Sequence, residues 1–216
     1  MTNYWDERFL DKIKDDIEII FEVGARYGDE SLKLSNIFPK SKIYSFECNP
    51  NTVDICKNNL ENKKNIQFTA CGLGNKNEQL PFFSYIENND GASSFFRRID
   101  AETTQVLNGY IDIKTLSNFM KENNIDNIDL LCMDVQGFEL NILKGAEEYL
   151  KKIKYIIMEE PKPIINTTFL PENIHSKYIN SPTSQEIHDF MLENNFIEIV
   201  RIDENMIEDN VMYKHL

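Results

Sequence analysis

The chain has 216 residues, of which 41% are hydrophobic, 11% aromatic and 27% charged, with a formal net charge of −13. This is globular composition with length for one domain and a sizeable core, and no apolar run approaches the roughly 18 residues that span a bilayer. The negative field repels a phosphate backbone, and the basic spots Lys63-Lys64, Arg97-Arg98 and Lys151-Lys152 are too short to override it, which argues against a nucleic-acid partner.

Met1 to Asp16 is polar and charged, unlike a secretory signal, so the expected compartment is cytoplasmic. Trp5, Phe9 and Ile13 recur at helical spacing and predict a first helix over Tyr4 to Lys14. Ile17 to Val23 is a β-branched apolar run that reads as a buried strand. A helix over Asp29 to Phe38 ends at Pro39, and a second strand runs from Lys42 to Glu47. Asn49-Pro50 reads as a helix start, with Val53, Cys56 and Leu60 on one face. Ile66 to Ala70 is a third strand, and Gln79 to Tyr85 is either an extra strand or an extended loop.

Asn88 to Thr104 has no period and reads as loop; Thr115 to Asn123 is a helix. Asp129 to Asp134 is a fourth strand, Glu139 to Leu150 a helix and Tyr155 to Glu159 a fifth strand. Pro161 to Pro182 is irregular, the kind of stretch that serves as a lid over an acceptor. Thr183 and Glu186 form a capping box that opens a helix to about Asn194. Phe196 to Arg201 and Asn210 to Tyr213 close the chain as strands. The alternation implies one domain over residues 1–216, an open and mostly parallel α/β sheet with helices on both faces. Ligands in such sheets bind beyond the carboxyl ends of the strands.

The strand ends carry the chemistry. The first ends in Glu22-Val23-Gly24-Ala25-Arg26-Tyr27-Gly28-Asp29. Two glycines four apart, between strand and helix, make a turn that a ligand can approach closely. The dinucleotide fingerprint G-x-G-x-x-G has a middle glycine where Arg26 stands, and Glu22 suits a cation better than a pyrophosphate. S-adenosylmethionine, with its sulfonium and ammonium groups, has the right sign, which makes Glu22, Gly24, Ala25, Tyr27 and Gly28 cofactor candidates. Glu47 ends the second strand 23 residues after Gly24, where such sheets place a carboxylate for the ribose hydroxyls; Cys48 lies beside it. Cys71-Gly72, at the third strand end, would flank the adenine. The four cysteines, Cys48, Cys56, Cys71 and Cys132, contain no C-x-x-C pair and read as reduced thiols.

Asp134, at the tip of the fourth strand, faces the expected transfer point as base or orienting group and also borders the cofactor. Of the adjacent Glu159 and Glu160 only one can face the cleft, and Glu159 is favoured. His175, in the irregular loop, is a further candidate base. Asp134 and Glu159 have oxygen donors that suit a divalent cation, but their spacing does not require one, so no metal ligand is assigned. Ser94, Arg97, Arg98 and Gln136 are acceptor candidates, the arginines for a diphosphate, and Tyr27, Phe95, Phe96 and Phe169 are candidates for an apolar sugar platform. Rival readings are a nicotinamide-dependent oxidoreductase and a non-catalytic S-adenosylmethionine-binding partner subunit. Self-association is left open.

These residues resemble the FkbM family of class I methyltransferases. The likeness rests on Phe21-Glu22-Val23-Gly24-Ala25 with Gly28-Asp29, and on Tyr44 through Pro50. It continues at Ile113 through Leu116, Ile128 through Glu139, Leu143 through Ala146, Ile156 through Glu159 and Asn210 through Tyr213. The resemblance implies a Rossmann-like, seven-stranded sheet with its last strand antiparallel. It also implies O-methylation of a small-molecule hydroxyl, often on a sugar, nucleotide-sugar or glycan. Glu22, Gly24 and Gly28 would then hold the methionine end of the cofactor, Glu47 its ribose, and Asp134 would lie near the acceptor. The chain departs from the family pattern at Glu22, where many members have Asp, and at Arg26, where many have Asn.

Overall fold

The computed structural model describes residues 6–85, 90–98, 105–162, 178–203 and 208–216. It opens with one helical turn, α1 (Glu7–Leu10), whose N-cap Asp6 accepts a hydrogen bond from the Arg8 backbone N–H. The longer helix expected to Lys14 does not form. Beyond Asp11 the backbone bonds tighten, Lys12 N–H to Phe9 O and Ile13 N–H to Leu10 O, and the helix stops once Phe9 is buried. Tyr4 and Trp5 lie outside the described residues.

β1 (Ile19–Val23), α2 (Asp29–Ile37), β2 (Lys42–Phe46), α3 (Val53–Leu60) and β3 (Ile66–Thr69) follow in alternation. The start of α3 is later than Asn49-Pro50 suggests. The Asn49 carbonyl accepts from Thr52 N–H and Val53 N–H and its side chain accepts from Asn51 N–H, so these residues form a turn before the helix.

After β3 the chain builds a second sheet. β4 (Gly72–Gly74), β5 (Glu78–Tyr85) and β6 (Gln105–Thr115) pair in the order β4-β6-β5, β4 parallel and β5 antiparallel to β6. The stretch ending at Tyr85 is therefore a strand; Pro81 cannot donate to the ladder, and the register shifts between Pro81 and Phe83. Sequence patterning predicts no element between Thr104 and Thr115; β6 fills that gap, with much of the strand exposed.

α4 (Leu116–Glu122) is capped by the Thr115 hydroxyl, which accepts from Asn118 N–H. β7 (Ile128–Met133), α5 (Glu139–Lys144), β8 (Ile153–Pro161), α6 (Ser184–Glu193), β9 (Phe196–Asp203) and β10 (Glu208–His215) complete the chain. The helix expected over Glu139 to Leu150 is divided: α5 ends at Lys144 and a separate 3-10 turn covers Glu147–Lys152. Gly145 caps α5, and a Cβ there would lie 2.0 Å from the Gly74 carbonyl oxygen. Gly145 O accepts from Ser117 N–H at 3.0 Å, so this residue joins α5 to β4 and α4; Gly145 and Ala146 stay right-handed, and the helical path is broken at Glu147, where φ is +49°. At α6 the reciprocal Thr183–Glu186 capping box is present.

The main sheet has the order β3-β2-β1-β7-β8-β10-β9. β1 is parallel to β2 and β7, β2 to β3, and β7 to β8, while β10 is antiparallel to both β8 and β9. Alternate side chains enter opposite cores. Phe21, Val23, Leu131, Met133, Ile156 and Met158 pack under α4, α5 and α6. Ile20, Leu130, Cys132, Tyr155 and Ile157 pack on the other face with Phe9 of α1 and Leu34 of α2. Strands buried on both faces explain the near-continuous apolar runs of β7 and β8. Among the described residues no helix is long and apolar enough to cross a membrane.

Candidate active site

Because β1, β2, β7 and β8 are parallel, their carboxyl ends emerge on one side. The tips are tied together. Gly24 N–H and Ala25 N–H donate to Phe46 O at 3.0 and 2.9 Å, and Asp134 N–H donates to Val23 O at 3.0 Å. Gly24 has φ +92° and a Cβ there would lie 2.0 Å from Asp134 O, so only glycine permits β1 to turn this close to β7. Beyond the tips lies a cavity of about 310 Å³. Glu22, Gly24, Arg26, Glu47, Cys48, Asp134, Gln136 and Glu159 line it from the main sheet. Phe82 of β5 and Ser93, Phe95 and Arg98 of the segment after it close it from the other side, and Glu208, at the start of β10 beside the end of β8, completes the lining.

The wall is acidic. Six lining carboxyl groups, from Glu22, Glu30, Glu47, Asp134, Glu159 and Glu208, face two guanidinium groups, from Arg26 and Arg98. Glu22 is 1% exposed and accepts from the hydroxyls of Ser31 on α2 and Ser45 on β2, the latter at 3.1 Å. Burial pushes its carboxyl up to about 8, the serine hydroxyls acting against it and the Glu30 and Glu47 charges adding to it. Glu47 is held in place by three backbone donors, Arg26 N–H at 2.5 Å, Cys48 N–H at 2.8 Å and Asn49 N–H at 2.6 Å. Burial raises it to about 6, and those same bonds limit the rise. Two donors on this wall, Arg26 Nε and Ser93 Oγ, are buried without a hydrogen-bond partner. A ligand with positive charge and polar ends would meet both the acids and the orphaned donors.

Gln136 joins the two carboxylates opposite the turn. Its Nε2 donates to Asp134 Oδ1 at 2.6 Å and to Glu159 Oε2 at 3.0 Å. Its Oε1 accepts from the Tyr178 hydroxyl, and its carbonyl accepts from Ser94 Oγ at 2.8 Å. A φ of +57° gives this non-glycine residue a left-handed backbone, a local cost held in place by these bonds. Glu160, the neighbour of Glu159, points to the opposite face, where Tyr213 Oη donates to it at 2.6 Å and Arg201 at 3.0 Å. Among the described residues no group of three or more His, Cys, Asp or Glu side chains is arranged to hold a metal ion.

The sequence candidates divide. Glu22, Gly24, Glu47, Cys48, Asp134, Gln136, Glu159 and Arg98 line the cavity. Ala25 does not: its side chain packs with Cys56 and Leu60 of α3. Tyr27 is half-buried beside the wall, with the cavity-lining Arg26 guanidinium 4.7 Å from its ring, and Gly28 begins α2 against Leu60. Cys71 packs against the core and Gly72 lies under Ile113 and Phe95, so neither reaches the cavity. Ser94 donates to the Gln136 carbonyl and does not line the wall. Arg97 is exposed over the Phe83 ring, because neighbours in an extended segment point to opposite sides; Arg98 faces inward, 5.9 Å from the Tyr85 and Tyr178 rings. His175 and Phe169 lie outside the described residues, as does 163–177 of the expected lid. Sequence reasoning missed Glu30, Ser93 and Glu208, which carry no motif, and left Arg26 unassigned although it sits within the recognised turn.

A model of the methyltransferase FkbM domain matches residues 22–198. The 2-O-methyltransferase NoeI of Sinorhizobium fredii is 24% identical over 153 residues, covering 65% of this chain and 62% of that protein. The hexuronic acid methyltransferase AglP of Haloferax volcanii is 24% identical over 153 residues, covering 69% of this chain and 58% of that one. The crystal structure of methyltransferase FkbM from Methylobacillus flagellatus superposes with a TM-score of 0.61 at 16% identity, over 96% of this chain and 46% of that chain. The chain thus spans less than two thirds of the length of each of these proteins.

Proposed function

Because the chain belongs to the FkbM methyltransferase family, we propose that it transfers a methyl group from S-adenosylmethionine to a hydroxyl of a saccharide or similar small acceptor. The observation that carries this reading is the acidic cavity over the tips of β1, β2, β7 and β8. Its donor set fits the cofactor. Glu22, with Glu30 behind it, suits the cationic methionine end. Glu47, oriented by three backbone donors, suits the ribose diol. Arg26 Nε and Ser93 Oγ would gain the partners they lack. When bound, S-adenosylmethionine supplies an electrophilic methyl group on a positively charged sulfur.

The chain's own work is then alignment and proton handling. Holding the acceptor oxygen in line is worth roughly 7–11 kcal/mol. A sugar hydroxyl is a weak nucleophile, and a carboxylate that accepts its proton adds about 10²–10⁴-fold. We assign that base to Asp134, which Gln136 ties to Glu159. Arg98 supplies a cation at the acceptor end, suited to a carboxylate such as that of a hexuronic acid, the acceptor named for the Haloferax relative.

Titration calorimetry with S-adenosylhomocysteine tests the cofactor site. The protein should bind it, and Glu47→Ala should weaken binding by about tenfold or more, as loss of charge-assisted bonds to a diol does. Asp134→Ala should retain binding and lose about 10²–10⁴-fold in methyl transfer to hexose and hexuronic acid glycosides, read by mass spectrometry. Binding of NAD(H) in place of S-adenosylhomocysteine would overturn the reading.

A further inference from the structure

A second cavity, of about 450 Å³, lies on the far side of Phe95; of the roles expected from sequence, only the sugar platform of Phe95 and Phe96 touches it. Phe95 lines both cavities and is the wall between them. The floor of the second is aromatic: Phe95 and Phe96 pack on Phe138 with ring centroids 4.8 and 5.3 Å apart, tilted at 46° and 58°. Leu140 and Pro81 extend this floor. The rim is polar but nearly neutral, with three carboxamides, Asn75, Asn141 and Asn180. Ser181 adds a hydroxyl, and one cation, Lys144, is offset by one carboxylate, Glu186.

The geometry points to an oligosaccharide subsite: the cleft binds a sugar ring next to the one that is methylated. The proposal rests on the saccharide-acceptor reading of the first cavity and extends it. A pyranose has an apolar face of C–H groups and an equatorial edge of hydroxyls. The tilted phenylalanine floor matches the face, as aromatic surfaces match flat apolar bodies. Carboxamides both donate and accept, as hydroxyls do, so the three asparagines match the edge. A nucleotide diphosphate would need more cations than Lys144 supplies, and a purely apolar ligand would make no use of the rim amides. The volume falls within the range of ligand clefts, roughly 300–1,000 Å³. Because Phe95 is shared, a ring on each side of it belongs to one extended acceptor.

The test is amide chemical-shift mapping of the ¹⁵N-labelled full chain, with S-adenosylhomocysteine present. The probes are a neutral, an N-acetylated and a uronic tetrasaccharide, each compared with its monosaccharide. At least one tetrasaccharide should shift the amides of Asn141, Lys144 and Ser181, and its monosaccharide should not. Asn141→Ala and Lys144→Ala, both at the rim and outside the core, should each weaken that tetrasaccharide by about fivefold, the worth of one hydrogen bond. Their affinity for S-adenosylhomocysteine should be unchanged. If no tetrasaccharide shifts these amides, or if the shifts survive both substitutions, the subsite is wrong. Loss of S-adenosylhomocysteine binding by the unsubstituted chain would instead sink the cofactor reading.

Discussion

Burial holds a proton on the Glu22 carboxyl near neutral pH, since it titrates at about 8 where an ordinary glutamate titrates at 4.5. The folded chain then binds more protons than the unfolded chain between those limits, so stability falls as pH rises. The contribution is complete below about 4.5 and is lost as pH passes through 8. Thermal unfolding of the ligand-free chain should therefore show a midpoint that declines from about pH 5 to pH 8.5, a tenfold difference in proton affinity between the folded and unfolded chains being worth roughly 1.4 kcal/mol. Glu22→Gln should flatten part of that decline. The rest belongs to Glu139, which burial also raises to about 8, to Glu47, raised to about 6, and to Glu30 and Glu160, which burial raises as well. An unchanged slope in Glu22→Gln would show that Glu22 titrates normally. A cation bound beside Glu22 favours the ionised form, so binding should tighten over the same range and release a proton.

At the scale of elements, local chemistry and long-range contact carry different weights. The Thr183 cap was readable in the sequence because a capping box is a four-residue pattern, and its reciprocal bonds are present. The end of α5 was not readable, because the Gly74 carbonyl that packs on Gly145 arrives from β4 and the left-handed Glu147 beyond it carries no sequence signal. Substitution should separate the two. Thr183→Ala should cost about 1 kcal/mol in urea unfolding, the usual worth of an N-cap. Gly145→Ala should cost more, roughly 1–3 kcal/mol or above, because two backbones must part. Equal losses would mean that α5 and β4 separate without strain. β6 follows the same logic: Asn108 and Gly109, the latter at φ +97°, form a bulge between the β5 pairs Tyr110–Pro81 and Leu107–Phe83, and pairing with β5 on either side carries the strand through it.

Over the whole molecule the charge of −13 and the acidic cavity act together on any ligand of net positive charge. S-adenosylmethionine is a cation and S-adenosylhomocysteine is neutral overall. Raising salt from about 50 to 500 mM, which shortens the Debye length from more than 10 Å to a few, should weaken the first by about two- to fivefold and the second much less. Calorimetry at the two salt concentrations checks this, and an equal response of both ligands would rule out a role for the cavity's field. The broad architecture was legible in the sequence, since strand and helix periods are local and strand direction puts Glu22, Glu47, Asp134 and Glu159 at one edge of a parallel sheet. Which neighbours share that edge was not legible. Arg98 enters the cavity and Arg97 does not, Ala25 packs behind the turn, and Ser93 and Glu208 arrive from distant elements. Gln136 holds Asp134 on one side and, across 23 residues of chain, Glu159 on the other. Such contacts depend on register, twist and close approach between segments far apart in sequence, and only the folded backbone sets them.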